Sequence, residues 1–264
     1  MPDKPGRVAI APLAAADQLA ADTLAQAINL PALPANTSHD TLTDYAVLLV
    51  VSPEGPYLQL TGPGAPGPVG VEFGSGAMRY RRRACNNELL GRAVGVGKKP
   101  SLRVIDATAG LGRDSFVLAD LGCAVTLCER HPVLQSLLES GIARARGGDD
   151  PWLAEVAGRL QLNKSDAREA NDASIAAADV IYLDPMFPGR GKSAAVKKDL
   201  ATLQVLLGPQ DDGDELLEWA LSQAVARVVV KRPPRAQALA GVEPSHCISG
   251  KAVRYDVHVL RGLA

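Results

Sequence analysis

From about residue 86 onward, short apolar runs rich in β-branched residues alternate with longer stretches of helical spacing. The runs at 102–106, 124–129, 159–163, 180–184 and 227–231 read as strands, and 253–260 as a last one. Between them 114–121, 132–145, 165–177 and 214–226 read as helices, with a short helix at 86–94 ahead of the series. Strand–helix alternation predicts βαβ units, hence an α/β fold with a mostly parallel sheet and helices on both faces. The last strand follows a loop through Gly241 and Pro244 rather than a helix, which fits an antiparallel strand in that sheet.

The first 76 residues follow another pattern. A strand at 8–10 precedes an Ala/Leu-rich helix at 17–30 that Pro31 ends. Strands at 45–51 and 57–60 flank the turn Ser52-Pro53-Glu54-Gly55-Pro56, and 69–73 alternates weakly as a further strand. This predicts a small N-terminal α+β domain. Charge marks its end. Residues 1–76 hold two basic and seven acidic side chains and 10 of the 19 prolines, whereas 77–103 hold eight basic side chains against Glu88. The expected domains are therefore 1–76 and 77–264, which suits a chain of 264 residues.

With 47% apolar and 22% charged residues, wholesale disorder is excluded. The balance of 28 basic and 29 acidic residues excludes a uniformly polybasic nucleic-acid binder. Apolar runs such as 45–51 fall far short of the roughly 20 residues that span a bilayer. The N-terminus leads into no apolar signal core, so a cytoplasmic protein without membrane partner is expected. Cys85, Cys123, Cys128 and Cys247 form no C-x-x-C pair and no zinc spacing, so free thiols and no metal are expected.

In open α/β sheets, ligands bind at the carboxyl ends of the strands. The first strand of the series ends in Asp106, followed by Ala-Thr-Ala-Gly110-Leu-Gly112-Arg113-Asp114. The glycines permit a tight turn and close approach of a ligand, and the helix start beyond them favours an anion. Asp106 can accept a hydrogen bond from a ligand ammonium group. The second strand ends in Glu129, 19 residues after Gly110, where a carboxylate can take both hydroxyl hydrogens of a ribose. Arg130 beside it can pair with an acid or lie over an adenine. After the third strand, Ser165 and Asp166 either contact an exocyclic amine or cap the next helix.

The fourth strand ends in Asp184-Pro185-Met186-Phe187-Pro188. This resembles the (Asn/Asp)-Pro-Pro-(Tyr/Phe) motif of class I methyltransferases that modify planar exocyclic nitrogens, with Met186 departing from it. Such a nitrogen is a poor nucleophile, because its lone pair is delocalised into the ring. The Asp184 carboxylate and Pro185 carbonyl can accept its N–H bonds and aim the lone pair, while Phe187 stacks on the base.

Together the segments 106–114, 182–188 and 228–233 resemble the ribosomal RNA small subunit methyltransferase J family, as do Gly74–Arg83 and Lys197-Lys198. The resemblance implies a class I, Rossmann-like methyltransferase using S-adenosylmethionine on a guanine N2 of 16S rRNA, free or within the 30S subunit. It implies a cofactor site of Arg113, Asp114, Glu129, Arg130, Ser165, Asp166 and Asp184, to which the strand-end reading adds Asp106 and Gly110, with Asp184, Pro185 and Phe187 of the Asp-Pro motif as the catalytic group. Ser165-Asp166 stands where relatives carry two hydroxyl residues.

Three basic clusters suit phosphate contacts: Arg79 with Arg81–Arg83; Arg190, Lys192, Lys197 and Lys198; and Lys231, Arg232 and Arg235. No obligate protein partner is evident. Other readings stay open at this point: another planar amine (DNA adenine or protein glutamine), or a non-catalytic rRNA-binding assembly factor. An NAD-dependent oxidoreductase is disfavoured by Ser115 at the third glycine position and by the lack of a Tyr-x-x-x-Lys.

Overall fold

The structure is a computed structural model that describes residues 7–83, 88–170, 175–186 and 194–263; the side chains of 77, 81–83, 88 and 194–197 are outside that description. In chain order the elements are β1 (Val8–Pro12), α1 (Gln18–Ile28), β2 (Val47–Val51), β3 (Tyr57–Leu60), α2 (Gly76–Arg83), α3 (Glu88–Val94), β4 (Arg103–Asp106) and α4 (Arg113–Asp120). Then come β5 (Ala124–Cys128), α5 (Pro132–Gly147), α6 (Pro151–Gly158), β6 (Leu160–Asn163), β7 (Val180–Leu183), α7 (Ala194–Leu207), α8 (Gly213–Ser222), β8 (Arg227–Arg232), β9 (His246–Ser249) and β10 (Arg254–Val259).

They form two compact units. One is drawn from Met1–Val71, His131–Gly141 and Pro188–Gln210, the other from Glu72–Arg130, Ile142–Phe187 and Asp211–Ala264. In the first, β1 pairs parallel with β2 and β2 antiparallel with β3. Ala9, Ala11, Leu48 and Val50 form a small core there. The 69–73 stretch is not a strand: only Val69 bridges to Leu58, directly after a segment in which Pro63, Pro66 and Pro68 lack a ladder donor.

The second unit holds a seven-stranded sheet in the order β6-β5-β4-β7-β8-β10-β9. The strands from β6 to β8 run parallel, and β10 and β9 close the sheet antiparallel. The chain steps outward from β4 through β5 to β6, then crosses back to β7 on the other side of β4. That reversal opens the crevice between β4 and β7 at their carboxyl ends.

Period two along the strands sorts the residues. Ile105, Ile181, Leu183, Val228 and Val230 face a core with Leu216, Leu217 and Ala220 of α8. Asp106, Tyr182 and Val229 lie opposite one another in the ladder and point the other way, toward α4. Two positions on, Asp184 and Lys231 share that second face. Helices thus cover both faces, as the alternating pattern predicts.

Several elements depart from expectation. The 165–177 stretch is not one helix: Ala167–Glu169 makes a single 3-10 turn and Ala170 is already extended. Residues 171–174 lie outside the described ones. Asp166 accepts from the Arg168 N–H at 3.0 Å, so the capping role read for it is realised on that turn. Helix α6 starts at an Asp150 cap that accepts from the N–H groups of Trp152 and Leu153, with Pro151 in its first turn. Strand β9 is short and mostly exposed, so no apolar run announces it.

Candidate functional site

Five neighbouring strand ends build the candidate site, all within the second unit. At the end of β4, Asp106 is 2% exposed. It accepts the Thr108 N–H at 3.1 Å and a short hydrogen bond from the Ser115 hydroxyl. Burial pushes its carboxyl up to about 7, against the pull of those two donors and with the help of Asp114 and Asp184 nearby. Sequence reading treated Ser115 as a failed glycine position; here it is a buried ligand of Asp106.

The loop beyond turns through Gly110 (φ 55°) and Gly112 (φ 70°), a left-handed backbone that favours glycine. A Cβ at Gly110 would meet only the Thr108 carbonyl, at 3.9 Å, so space lies open over the loop there. The Gly110 N–H donates to Glu129 Oε2 at 2.9 Å, and the Ala109 N–H to the Cys128 carbonyl at 3.2 Å. These bonds hold the glycine turn against the end of β5. Glu129 is 8% exposed.

Arg113 opens α4 and is exposed, and Asp114 follows in its first turn, where the helix dipole favours a carboxylate. Asp114 Oδ2 accepts from the Tyr182 hydroxyl at 2.7 Å and from Lys231 Nζ at 2.6 Å. Lys231 also donates to Asp184 Oδ2 at 2.7 Å, and the Asp184 N–H donates to Thr108 Oγ1 at 2.7 Å. Burial pushes Asp184 up, and Lys231 opposes it. Burial alone would depress the Lys231 ammonium, but Asp114 and Asp184 more than offset this and hold it protonated. Pro185 and Met186 follow, half-buried; Phe187 lies outside the described residues, as do Arg190 and Lys192.

The ends of β5 and β6 carry a second group. Arg130 pairs with Asp212 and, at 3.3 Å, with Asp166. Of the two roles read for Arg130, pairing with an acid is the one seen. Arg168 forks onto Asp166 at 2.9 and 2.7 Å and reaches Asp212 at 3.2 Å. The Arg168 hydrogen bond, with Arg130 behind it, lowers Asp166 to about 2 despite partial burial. Ser165 donates to Asn163 Oδ1 at 3.0 Å.

The basic clusters need correction. Lys231 and Arg232 belong to β8 rather than to a solvated rim. Lys231 lies in the site, and Arg232 is 7% exposed, with Nη2 donating to the Gln237 carbonyl at 2.6 Å. Arg235 is exposed. Arg79 is held by the Gly74 carbonyl at 3.1 Å, by Asp150 at 2.5 Å and over the Trp152 ring at 5.2 Å. It fastens α2 rather than standing free. Lys198 donates to the Pro68 carbonyl at 2.7 Å within the first unit. The side chains of Arg81–Arg83 and Lys197 lie outside the described ones. Lys231, Tyr182, Thr108, Arg168 and Asp212 were not singled out for the site from sequence. Only the spacing of Tyr182 before Asp184 hinted at one of them.

The donor set fits S-adenosylmethionine. That molecule offers an ammonium, a ribose diol and an adenine amine, all hydrogen-bond donors, and Asp106, Glu129 and Asp166 offer acceptors in strand order beside an open glycine loop.

Comparison with known proteins agrees. Residues 35–260 match the family model "Putative SAM-dependent methyltransferase". The ribosomal RNA small subunit methyltransferase J of Thioalkalivibrio sulfidiphilus is 47% identical, over 90% of this chain and 92% of that protein. That of Marinobacter nauticus is 48% identical, over 83% and 80%. A crystal structure of a SAM-dependent methyltransferase from Neisseria gonorrhoeae superposes with a TM-score of 0.70 at 35% identity, covering 97% of each chain. This chain belongs to the ribosomal RNA small subunit methyltransferase J family of SAM-dependent methyltransferases.

Proposed function

We propose that this protein transfers a methyl group from S-adenosylmethionine to the exocyclic N2 of a guanine in 16S rRNA, in the cytoplasm. The observation that carries the reading is the Asp184-Pro185 pair at the end of β7, beside the carboxylates of β4 and β5. No helix among the described residues is long and apolar enough to cross a membrane.

Asp106 receives the cofactor's ammonium, Glu129 its ribose hydroxyls, and Ser165 and Asp166 its adenine edge. Gly110, Arg113, Asp114 and Arg130 complete that wall. When bound, S-adenosylmethionine supplies an electrophilic methyl on a sulfonium, whose transfer leaves a neutral thioether and one proton for the amine to shed. Asp184 and the Pro185 carbonyl accept the N–H bonds of the amine and point its lone pair at the methyl, and Phe187 stacks on the base. Most of the acceleration then comes from positioning. Of the basic clusters, Arg81–Arg83, Arg190, Lys192 and Lys197 are left as the candidates for phosphate contacts, which carry affinity without sequence information. A base in a loop reaches the site at less cost than one flipped from a duplex.

The test is methyl transfer from labelled S-adenosylmethionine to 30S subunits and to naked 16S rRNA from a strain lacking this gene. Digestion to nucleosides should give labelled N2-methylguanosine, absent with Asp184→Ala. Another labelled nucleoside would overturn the substrate, and no label in any RNA despite cofactor binding would overturn the reaction.

A further inference from the structure

We propose that Lys231 is a positioning residue for methyl transfer: by bridging Asp114 and Asp184 it fixes the Asp184 carboxylate and keeps it a hydrogen-bond acceptor. The inference rests on the function proposed above, and on geometry. Lys231 is on β8, one position beyond the Leu183–Val230 pair, so it stands beside Asp184 across the ladder. Its ammonium lies 2.6 Å from Asp114 Oδ2 and 2.7 Å from Asp184 Oδ2. One cation thus ties the helix that follows the glycine loop to the strand end that meets the acceptor.

The surroundings make that cation necessary. Asp184 is faced by Asp114 from α4, Asp106 from β4 and Tyr182 from its own strand, and Tyr255 of β10 lies opposite Lys231. Burial and the Asp114 carboxylate favour a protonated Asp184, which would lose its charge and half of its capacity to accept an amine N–H. Lys231 opposes this, and by occupying Oδ2 it directs the acceptor amine to Oδ1. Because the same ammonium serves Asp114, the pose of the cofactor wall and that of the acceptor are set together.

The test compares wild type, Lys231→Met and Lys231→Arg on 30S subunits at saturating S-adenosylmethionine across pH. Lys231→Met should lose kcat at neutral pH by about tenfold or more, and the acid limb of its profile should move up by about one pH unit or more. Turnover should recover as pH rises, and Lys231→Arg should keep the wild-type limb. A loss of equal size at every pH, or an equal shift in Lys231→Arg, would overturn the proposal. Should Lys231→Met not fold, carboxyl carbon-13 titration of wild type decides, with the Asp184 signal assigned by its loss in Asp184→Asn. That signal should be in its ionised position at the pH of the turnover assay, and a carboxyl still protonated there would sink the idea. The titration needs no substrate, so it separates this proposal from the function: an inactive wild type with an ionised Asp184 would break the function alone.

Discussion

The two halves of the crevice use the same residue types in opposite ways. Around β4, β7 and β8, the carboxylates of Asp114 and Asp184 share Lys231, next to the buried carboxylate of Asp106. Around β5 and β6, Asp166 and Asp212 face Arg130 and Arg168 in a partly exposed network. The outcome is two aspartates at strand ends with very different proton affinity: Asp106 is pushed up to about 7, and Asp166 is held at about 2. Carboxylate excess with burial makes a region sensitive to protons and to an incoming cation. Balanced charge with solvent makes a rigid wall. On the proposed function, the first suits the end that takes the cofactor's ammonium and the acceptor amine, and the second suits recognition of the nucleoside.

The largest effect should come from the first half. Asp184→Asn keeps the shape but replaces a charged acceptor, and kcat should fall on the order of 10²–10³-fold with cofactor affinity much less affected. A loss of cofactor affinity with kcat unchanged would mean that Asp184 serves binding alone. Next is stability. Asp106 has a folded pKa above its unfolded one, so it costs nothing below about pH 4 and its penalty grows as pH rises toward 7. Asp106→Asn should therefore gain on wild type over that range, by up to about 4 kcal/mol at pH 8 for roughly three pKa units. Denaturant unfolding of the free protein measures this, and parallel pH curves would show that Asp106 is not the strained group. In the second half, Glu129→Gln retains an acceptor for the Gly110 N–H but loses the charge offered to a ribose. It should weaken S-adenosylmethionine binding about tenfold to a hundredfold in calorimetry, with kcat at saturation nearly unchanged.

The strand ends were legible because buried parallel strands are apolar runs, and a polar residue that stops such a run marks the rim. Asp106, Glu129 and Asp184 all stand out in this way. Lys231 does too, but a lysine closing an apolar run reads equally as an exit into solvent. Its partner Asp184 is 47 residues away, and only the β7–β8 register brings them together. The helix expected at 165–177 fails for a related reason: local composition favours it, yet Arg168 curls back onto Asp166 and the chain leaves the helix after one turn. Arg130 had two sensible roles, and Asp212, 82 residues on, decides between them. Local pattern carries the scaffold, whereas pairing between distant segments sets the charge state of the site.

The smallest predicted effect tests the second half on its own terms. Asp166 has a folded pKa below its unfolded one, so its ion pairs stabilise the fold above about pH 4, and that contribution fades as pH falls toward 2. Arg168 supplies most of the effect, and Arg130, at 3.3 Å, is a second cation on the same carboxylate. Arg168→Ala should thus cost about 1 kcal/mol near pH 6, the full shift being discounted because the network is open to solvent. In a domain of this size that is about 2–4 °C in Tm. The gap to wild type should narrow as the pH is lowered toward 3 and shrink further in high salt. Asp106→Asn has the opposite pH dependence, so the two variants together test the contrast. A gap for Arg168→Ala that ignores both pH and salt would mean that the guanidinium stabilises by packing, and that the second half is not the charge-balanced wall drawn above.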